Sequence, residues 1–370
     1  MKTITLFTLS TGPDVHYLLA LGSQLHQQGL EVCLAAASAF QGLANKLGLY
    51  FQPVTAASSP GGEEEGRELL LKVQELAQHS SLLVIHKPYL STVRALGPLP
   101  CPIMGIALKA EEVFARFARK GSLLRRFSSW VRRNSNQLQG MYIPTLYNFS
   151  PRLLCGDEEH HPPIHLCGQW SIPDSLQRIF LGRSPSPALS DWLYRGGRPV
   201  FFDFSQTPEA EREFLLKMVK ELSKMMGFRA ILCTNWPGFE EGILQRDIFH
   251  VQSPIQEWLF QQCAVVIHYR QTANLPAAAR AGVPSILCGS GTEATCWGQL
   301  LQHHGIGIHL RKEPPTATAL KAALEEALRL SMQYKAKSMG KTLREEQGLE
   351  YAVETICRQV SAIEKIAVAV

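Results

Sequence analysis

Short apolar runs alternate with amphipathic stretches along the first hundred residues. Ile4 to Leu9 has the pattern of a strand, Asp14 to Gln28 repeats its apolar positions at helical spacing, and Glu31 to Ala35 returns to a strand pattern. This is a βαβ opening. Leu82 to Ile85 and Ile103 to Leu108 predict further strands, each bounded by Pro, Gly or a charged helix start. Apolar strands separated by helices predict a doubly wound parallel sheet.

Residues 151 to 198 interrupt this rhythm. Pro151, Pro162, Pro163, Pro173, Pro185 and Pro187, with Gly156 and Gly168, predict irregular backbone and a linker, with the domain boundary near 180 to 190. Alternation then restarts: a strand at Pro199 to Phe204, a helix at Pro208 to Met226, and strands at Arg229 to Thr234, Ala264 to His268 and Ser285 to Cys288. The expected architecture is α/β, with two Rossmann-like domains facing a cleft. Residues 1–185 form the first, 186–350 the second, and 351–370 a C-terminal helix packing back toward the first. Gly61 to Gly66, with three consecutive glutamates, predicts a solvated loop.

A chain of 370 residues exceeds what one hydrophobic core usually organises, which agrees with two domains. Net charge of +5 is too mild to make nucleic acid the principal partner. No apolar run approaches the roughly 20 residues that span a bilayer. The opening Met1 to Phe7 is too short for a signal-peptide core before Gly12-Pro13, so a cytoplasmic protein is expected. The nine cysteines are scattered and form no CxxC pair, which favours buried thiols over zinc or redox chemistry. His160, His161 and His165, with Asp157 and Cys155, show no recognised ligand spacing, and no metal is expected.

Positive charge does cluster from Glu111 to Gln139, where Phe117, Trp130 and other aromatic residues accompany seven Arg and Lys in a helical pattern. Such an element lies on an anionic membrane surface, each basic residue contributing about 1 kcal/mol, or covers the core as a solvated helix. Both readings stay open. Lys87 follows the strand ending Ile85-His86, at a carboxyl end where α/β folds place ligands.

Several colinear segments resemble the sterol glucosyltransferase-like and antibiotic glycosyltransferases. Ser10-Thr11-Gly12-Pro13-Asp14-Val15, Leu19-Ala20-Leu21-Gly22 and Gly29-Leu30-Glu31-Val32 are similar to that family's opening. Asn148-Phe149-Ser150-Pro151 and Cys167-Gly168-Gln169-Trp170 resemble the segment closing its first domain. Gln256-Glu257-Trp258-Leu259, Ala281-Gly282-Val283-Pro284, Trp297 and Gly305-Ile306-Gly307 resemble its nucleotide-binding domain. The resemblance implies a GT-B fold and inverting, metal-free transfer of a sugar from a nucleotide-sugar donor to a hydroxyl of a bulky hydrophobic acceptor, with no cofactor. It puts Asp14 at the general-base position, assisted by His16; Gly-Pro-Asp before a helix is also an ordinary N-cap arrangement. Lys87, Phe117 and Trp130 become acceptor-side candidates.

The donor side departs from the pattern. The family's His-Gly-Gly-x-Gly-Thr turn, which cradles the diphosphate on backbone N–H groups, falls on Tyr269-Arg270-Gln271-Thr272-Ala273-Asn274, without a glycine. Tyr269 replaces the histidine, and His268 lies one position early. The acidic residue and amide that hold sugar hydroxyls become Glu293-Ala294, and a Phe-Gly-Ser strand end becomes Phe204-Ser205-Gln206. Expected donor residues are therefore Gln206, Trp258, His268, Tyr269, Arg270, Thr272, Asn274 and Glu293, with side chains replacing the backbone cradle. The alternative is a glycosyltransferase-like protein without transfer activity, acting as a binding or activating partner or taking a non-sugar ligand.

Overall fold

The computed structural model describes residues 3–12, 14–54, 63–93, 96, 98–108, 137–138, 141–154, 164–181, 186–252 and 256–369. It divides into two units. One comprises Met1–Pro151, Gly156–Gly182 and Gln347–Val370; the other, Arg152–Cys155 and Arg183–Glu346.

The first unit is built on β1 (Thr3–Phe7), β2 (Glu31–Ala36), β3 (Tyr50–Pro53), β4 (Leu82–His86), β5 (Ile103–Ala107), β6 (Thr145–Tyr147) and β7 (Ile164–Leu166). They form a parallel seven-stranded sheet in the order β3-β2-β1-β4-β5-β6-β7. Ile4 and Leu6 of β1 enter one core and Phe7 another, because successive side chains leave opposite faces. Helix α1 (Asp14–Gln27) buries Val15, Leu18, Leu19 and Leu25, one helical stripe, against the first of these cores. The C-terminal helix α2 (Gly348–Ala369) adds Leu349, Ala352, Val353, Ile356 and Val360 to the same core and packs on α1. Because β1 lies between β2 and β4, strand order reverses at its carboxyl end, the position where open α/β sheets place ligands.

In the second unit the sheet contains β8 (Val200–Asp203), β9 (Ala230–Cys233), β10 (Gly242–Gln245), β11 (Ile248–Val251), β12 (Val265–Tyr269), β13 (Ser285–Cys288) and β14 (Gly307–Leu310). Their order is β10-β11-β9-β8-β12-β13-β14, parallel except for the β10–β11 hairpin at one edge. The reversal falls between β8 and β12, with Asp203 opposite His268. Helix α3 (Glu209–Met226) follows β8. Its buried Leu215, Met218, Val219 and Leu222 form a core-facing stripe, and Glu209 and Glu211 occupy the first turn, where the helix dipole favours acids. Gly227 ends it in the left-handed conformation.

Two local expectations are corrected. The segment 151–198 is not a plain linker, since β7 lies within it and joins the first sheet, and helices form at Asp174–Leu181 and Pro187–Tyr194. Several of its prolines mark helix starts: Pro187 follows the N-cap Ser186, whose hydroxyl accepts the Leu189 N–H. The glutamates at 63–65 open the helix Glu63–Gln78 instead of a loop. Gln137–Leu138, at the end of the expected basic helix, forms a two-residue ribbon with Met141–Tyr142. The rest of that segment up to 136, including Phe117 and Trp130, lies outside the described residues. No described helix is long and apolar enough to cross a membrane.

Candidate active site

In the first unit, the loop after β1 is tied together by short polar side chains. The Ser10 N–H donates to Thr8 Oγ1 at 3.0 Å, and Thr8 Oγ1 lies 3.1 Å from Nδ1 of the buried His86 at the end of β4. Ser10 Oγ accepts the Gly12 N–H at 3.3 Å and donates to Asp14 Oδ2 at 3.3 Å. Asp14, the first residue of α1, is buried, so its carboxylate is oriented by a neighbouring hydroxyl. A carboxylate held in this way can accept a proton from a hydroxyl placed beside it.

His16, two residues along α1, packs among aromatic rings. Its ring stacks on Phe180 with centroids 4.8 Å apart and meets Phe40 edge-on at 6.2 Å. Burial lowers its pKa, partly opposed by the Asp14 charge, so the imidazole is held neutral as a packing element of α1. Lys87 places Nζ 4.6 Å from the centre of the Tyr147 ring, at the carboxyl end of the sheet.

In the second unit the loops after β8 and β12 are joined by a polar network. Asp203 is almost fully buried, and burial raises its pKa although Ser205 and Asn274 donate hydrogen bonds to it. The Ser205 hydroxyl donates to Asp203 Oδ1 at 2.7 Å, and Asn274 Nδ2 donates to Oδ2 at 2.6 Å. Gln271 Nε2 reaches Ser205 Oγ at 3.3 Å. Arg270 has φ of 56°, the left-handed region that favours glycine. Its N–H donates to Cys288 O at 2.8 Å, extending the ladder between β12 and β13 beyond the strand ends.

Side chains of this loop line a pocket of about 290 Å³, formed by Arg270, Gln271, Thr272, Leu287, Gly289, Ser290, Glu293, Ala294 and Glu313. The Thr272 hydroxyl donates to Glu293 in the first turn of α4 (Thr292–His304). The pocket therefore offers one guanidinium, two carboxylates and several hydroxyl or amide groups, a set suited to a polyhydroxylated ligand, with the guanidinium as its one cationic group.

Of the eight donor candidates, Arg270, Thr272 and Glu293 come together on this pocket, and Asn274 braces the loop behind it. Gln206 is exposed in the turn after β8. The His268 ring is wholly buried, 3.3 Å from Ser285 Oγ, and burial pushes its pKa down to about 3; it is a neutral core residue. The Tyr269 ring is also core, with its hydroxyl donating to Glu211 and its pKa pushed up to about 12 by burial and then by that carboxylate. Trp258 packs partly buried against the core that contains Leu259 and Phe260. Its neighbour Glu257 pairs with Arg280 at 2.8 Å.

Asp203, Glu211 and Glu313 were not singled out from the sequence. An acid closing the apolar run Val-Phe-Phe-Asp was the visible signal for Asp203. Glu211 and Glu313 gave none, because their neighbourhood is tertiary. Among the described residues no cluster of three or more His, Cys, Asp or Glu is arranged to hold a metal ion.

No family model matches the chain. Curated relatives do. O-mycaminosyltylonolide 6-deoxyallosyltransferase of Streptomyces fradiae is 24% identical over 418 residues, covering 94% of this chain and 95% of that protein. Sterol 3-beta-glucosyltransferase of Sclerotinia sclerotiorum is 25% identical over 237 residues, covering 60% of this chain but only 16% of that much longer protein. Among solved structures, the kitacinnamycin glycotransferase superposes with a TM-score of 0.71 at 14% identity, covering 97% of this chain and 98% of the other. The spinosyn rhamnosyltransferase SpnG complexed with thymidine diphosphate gives 0.62 at 15% identity, covering 96% and 100%. The fold is that of the GT-B glycosyltransferases.

Proposed function

We infer that this chain, a homologue of antibiotic and sterol glycosyltransferases with the GT-B fold, moves a sugar from a nucleotide-sugar donor to a hydroxyl of a bulky hydrophobic acceptor. The observation carrying the reading is the polar pocket at the carboxyl end of the second sheet, beside its switch point, in a chain that aligns from end to end with a deoxysugar transferase.

The roles follow from the chemistry each side chain offers. Asp14 accepts the acceptor's proton as the oxygen forms its bond to the anomeric carbon on the face opposite the departing diphosphate, which inverts that centre. Ser10 orients the Asp14 carboxylate. Arg270 faces the diphosphate and stabilises charge as the sugar–phosphate bond breaks. Glu293 accepts hydrogen bonds from sugar hydroxyls, and Thr272 fixes its rotamer. Lys87 belongs to the acceptor side. Such transfer needs no metal, as in glycosyltransferases of this type.

Calorimetric titration with uridine and thymidine diphosphates and their sugars tests the donor half of this reading. Micromolar binding of one of them supports it, and its absence in folded protein favours the non-catalytic alternative. The basic, aromatic stretch from 111 to 139 supports peripheral contact with an anionic membrane. Vesicles containing anionic lipid should retain the protein at low salt and release it at high salt.

A further inference from the structure

Arg270 stands at a position where the resemblance puts glycine, yet its backbone keeps the conformation glycine would supply. The loop shape survives the substitution, and a guanidinium has been added at its rim. That guanidinium is already engaged. Nη2 lies 3.0 Å from Glu211 Oε1, in the first turn of α3, and Nε lies 3.2 Å from Glu313 Oε2, after β14. Nε also donates to Tyr269 Oη at 3.3 Å, and the Tyr269 hydroxyl in turn donates to the second oxygen of Glu211.

The charge balance decides what this arrangement does. Three carboxylates, Glu211, Glu293 and Glu313, stand within one contact of the pocket or of its single guanidinium. A diphosphate entering an unchanged pocket meets net negative charge. Both Glu partners are largely shielded, with side-chain exposures of 21% and 13%, so solvent screens this repulsion only in part. Arg270 keeps one-third exposure and lines the pocket. Glu313 is held by the single Nε contact, whereas Glu211 is held by both Nη2 and Tyr269. Glu313 is the partner that can be exchanged.

We propose that Glu211 and Glu313 form a clamp on Arg270 in which Glu211 anchors the side chain and Glu313 sets donor affinity by competing with the donor diphosphate for it. Binding exchanges the Glu313 contact for a phosphate oxygen while Glu211 and Tyr269 keep the side chain over the pocket. Both glutamates are positioning residues, acting on the ligand through Arg270. This rests on the donor site assigned to the loop in the preceding subsection.

A double-mutant cycle tests it, using uridine diphosphate and thymidine diphosphate as probes in calorimetric titrations of wild type, Glu313→Gln, Arg270→Ala and the double variant, each shown folded by its melting transition. The expected result is that Glu313→Gln tightens the binding nucleotide by about fivefold or more, and that the same change in the Arg270→Ala background alters affinity by less than about twofold. If Glu313→Gln does not fold, Glu313→Ala takes its place in the same cycle, with the same expected result. Unchanged or weaker binding in Glu313→Gln, or an equal gain in both backgrounds, overturns the clamp and leaves the donor site standing. Failure of all the folded proteins to bind either nucleotide overturns the donor site, and the clamp with it.

Discussion

Asn274 donates to Asp203 across 2.6 Å, joining the start of the helix after β12 to the end of β8 at the point where strand order reverses. The bond holds a nearly buried carboxylate whose other hydrogen bonds come from Ser205, and it ties down the loop carrying Arg270. Asp203→Ala should loosen that loop and cost about 2 kcal/mol in urea unfolding, because Asn274 and Ser205 lose their shared acceptor.

The same carboxylate gives a pH dependence whose sign follows from burial. The Asp203 pKa is raised in the folded state, so the folded protein holds this proton more tightly than the unfolded chain. Its contribution is fully present below the unfolded value of about 3.9 and is lost as pH rises through the higher folded value. Measured by urea unfolding against pH, wild type should lose stability relative to Asp203→Asn over that window. A flat difference contradicts the burial argument.

Ser10 and Asp14 should separate in kinetics. Removing the base in Asp14→Ala should lower kcat by about 10²–10⁴-fold, the usual range for a positioned proton acceptor. Ser10→Ala, which removes only the orienting hydroxyl, should cost roughly tenfold in kcat with little change in KM for the donor. His16→Leu should retain kcat, since that ring is stacked on Phe180.

Two glycines of the second unit predict opposite tolerance. A Cβ at Gly340 would lie 2.4 Å from the Gly282 Cα and 2.6 Å from its nitrogen, both backbone atoms that cannot yield. Gly340→Ala should destabilise by roughly 2–3 kcal/mol through forced separation of the two segments. Gly227 has open space around it and only its left-handed φ to satisfy, so Gly227→Ala should cost about 1 kcal/mol. Thermal unfolding of both variants checks the contrast.

Much of this fold is written in runs that are apolar throughout. Val200 to Phe202 and Val265 to Ile267 are legible as strands because buried parallel strands need apolar side chains on both faces. The hairpin β10–β11 was not legible. β10 alternates partly buried and exposed positions over four residues, and His250 interrupts β11. That histidine is nonetheless core, bonded to Thr234 Oγ1 at 2.9 Å and Glu240 O at 2.7 Å. At the site, resemblance and residue chemistry pointed to Arg270, Thr272 and Glu293, which line one pocket. Tyr269 and His268, named with them, have buried rings, because alternation along a strand sends adjacent side chains into opposite cores and sequence position alone does not say where a strand stops. The two carboxylate partners of Arg270, Glu211 and Glu313, lie far along the chain, Glu211 by 59 positions, and only folding brings them to it.

Sugar transfer is the central claim, and product analysis tests it most directly. Purified protein is incubated with the nucleotide sugar that binds it and a library of hydrophobic alcohols, and products are read by mass spectrometry and anomeric proton coupling. The account predicts an acceptor that gains one glycosyl unit with inverted configuration, and a product that disappears in Asp14→Ala. Equal product from Asp14→Ala, or nucleotide-sugar binding with no transfer to any hydroxyl in the library, would contradict it.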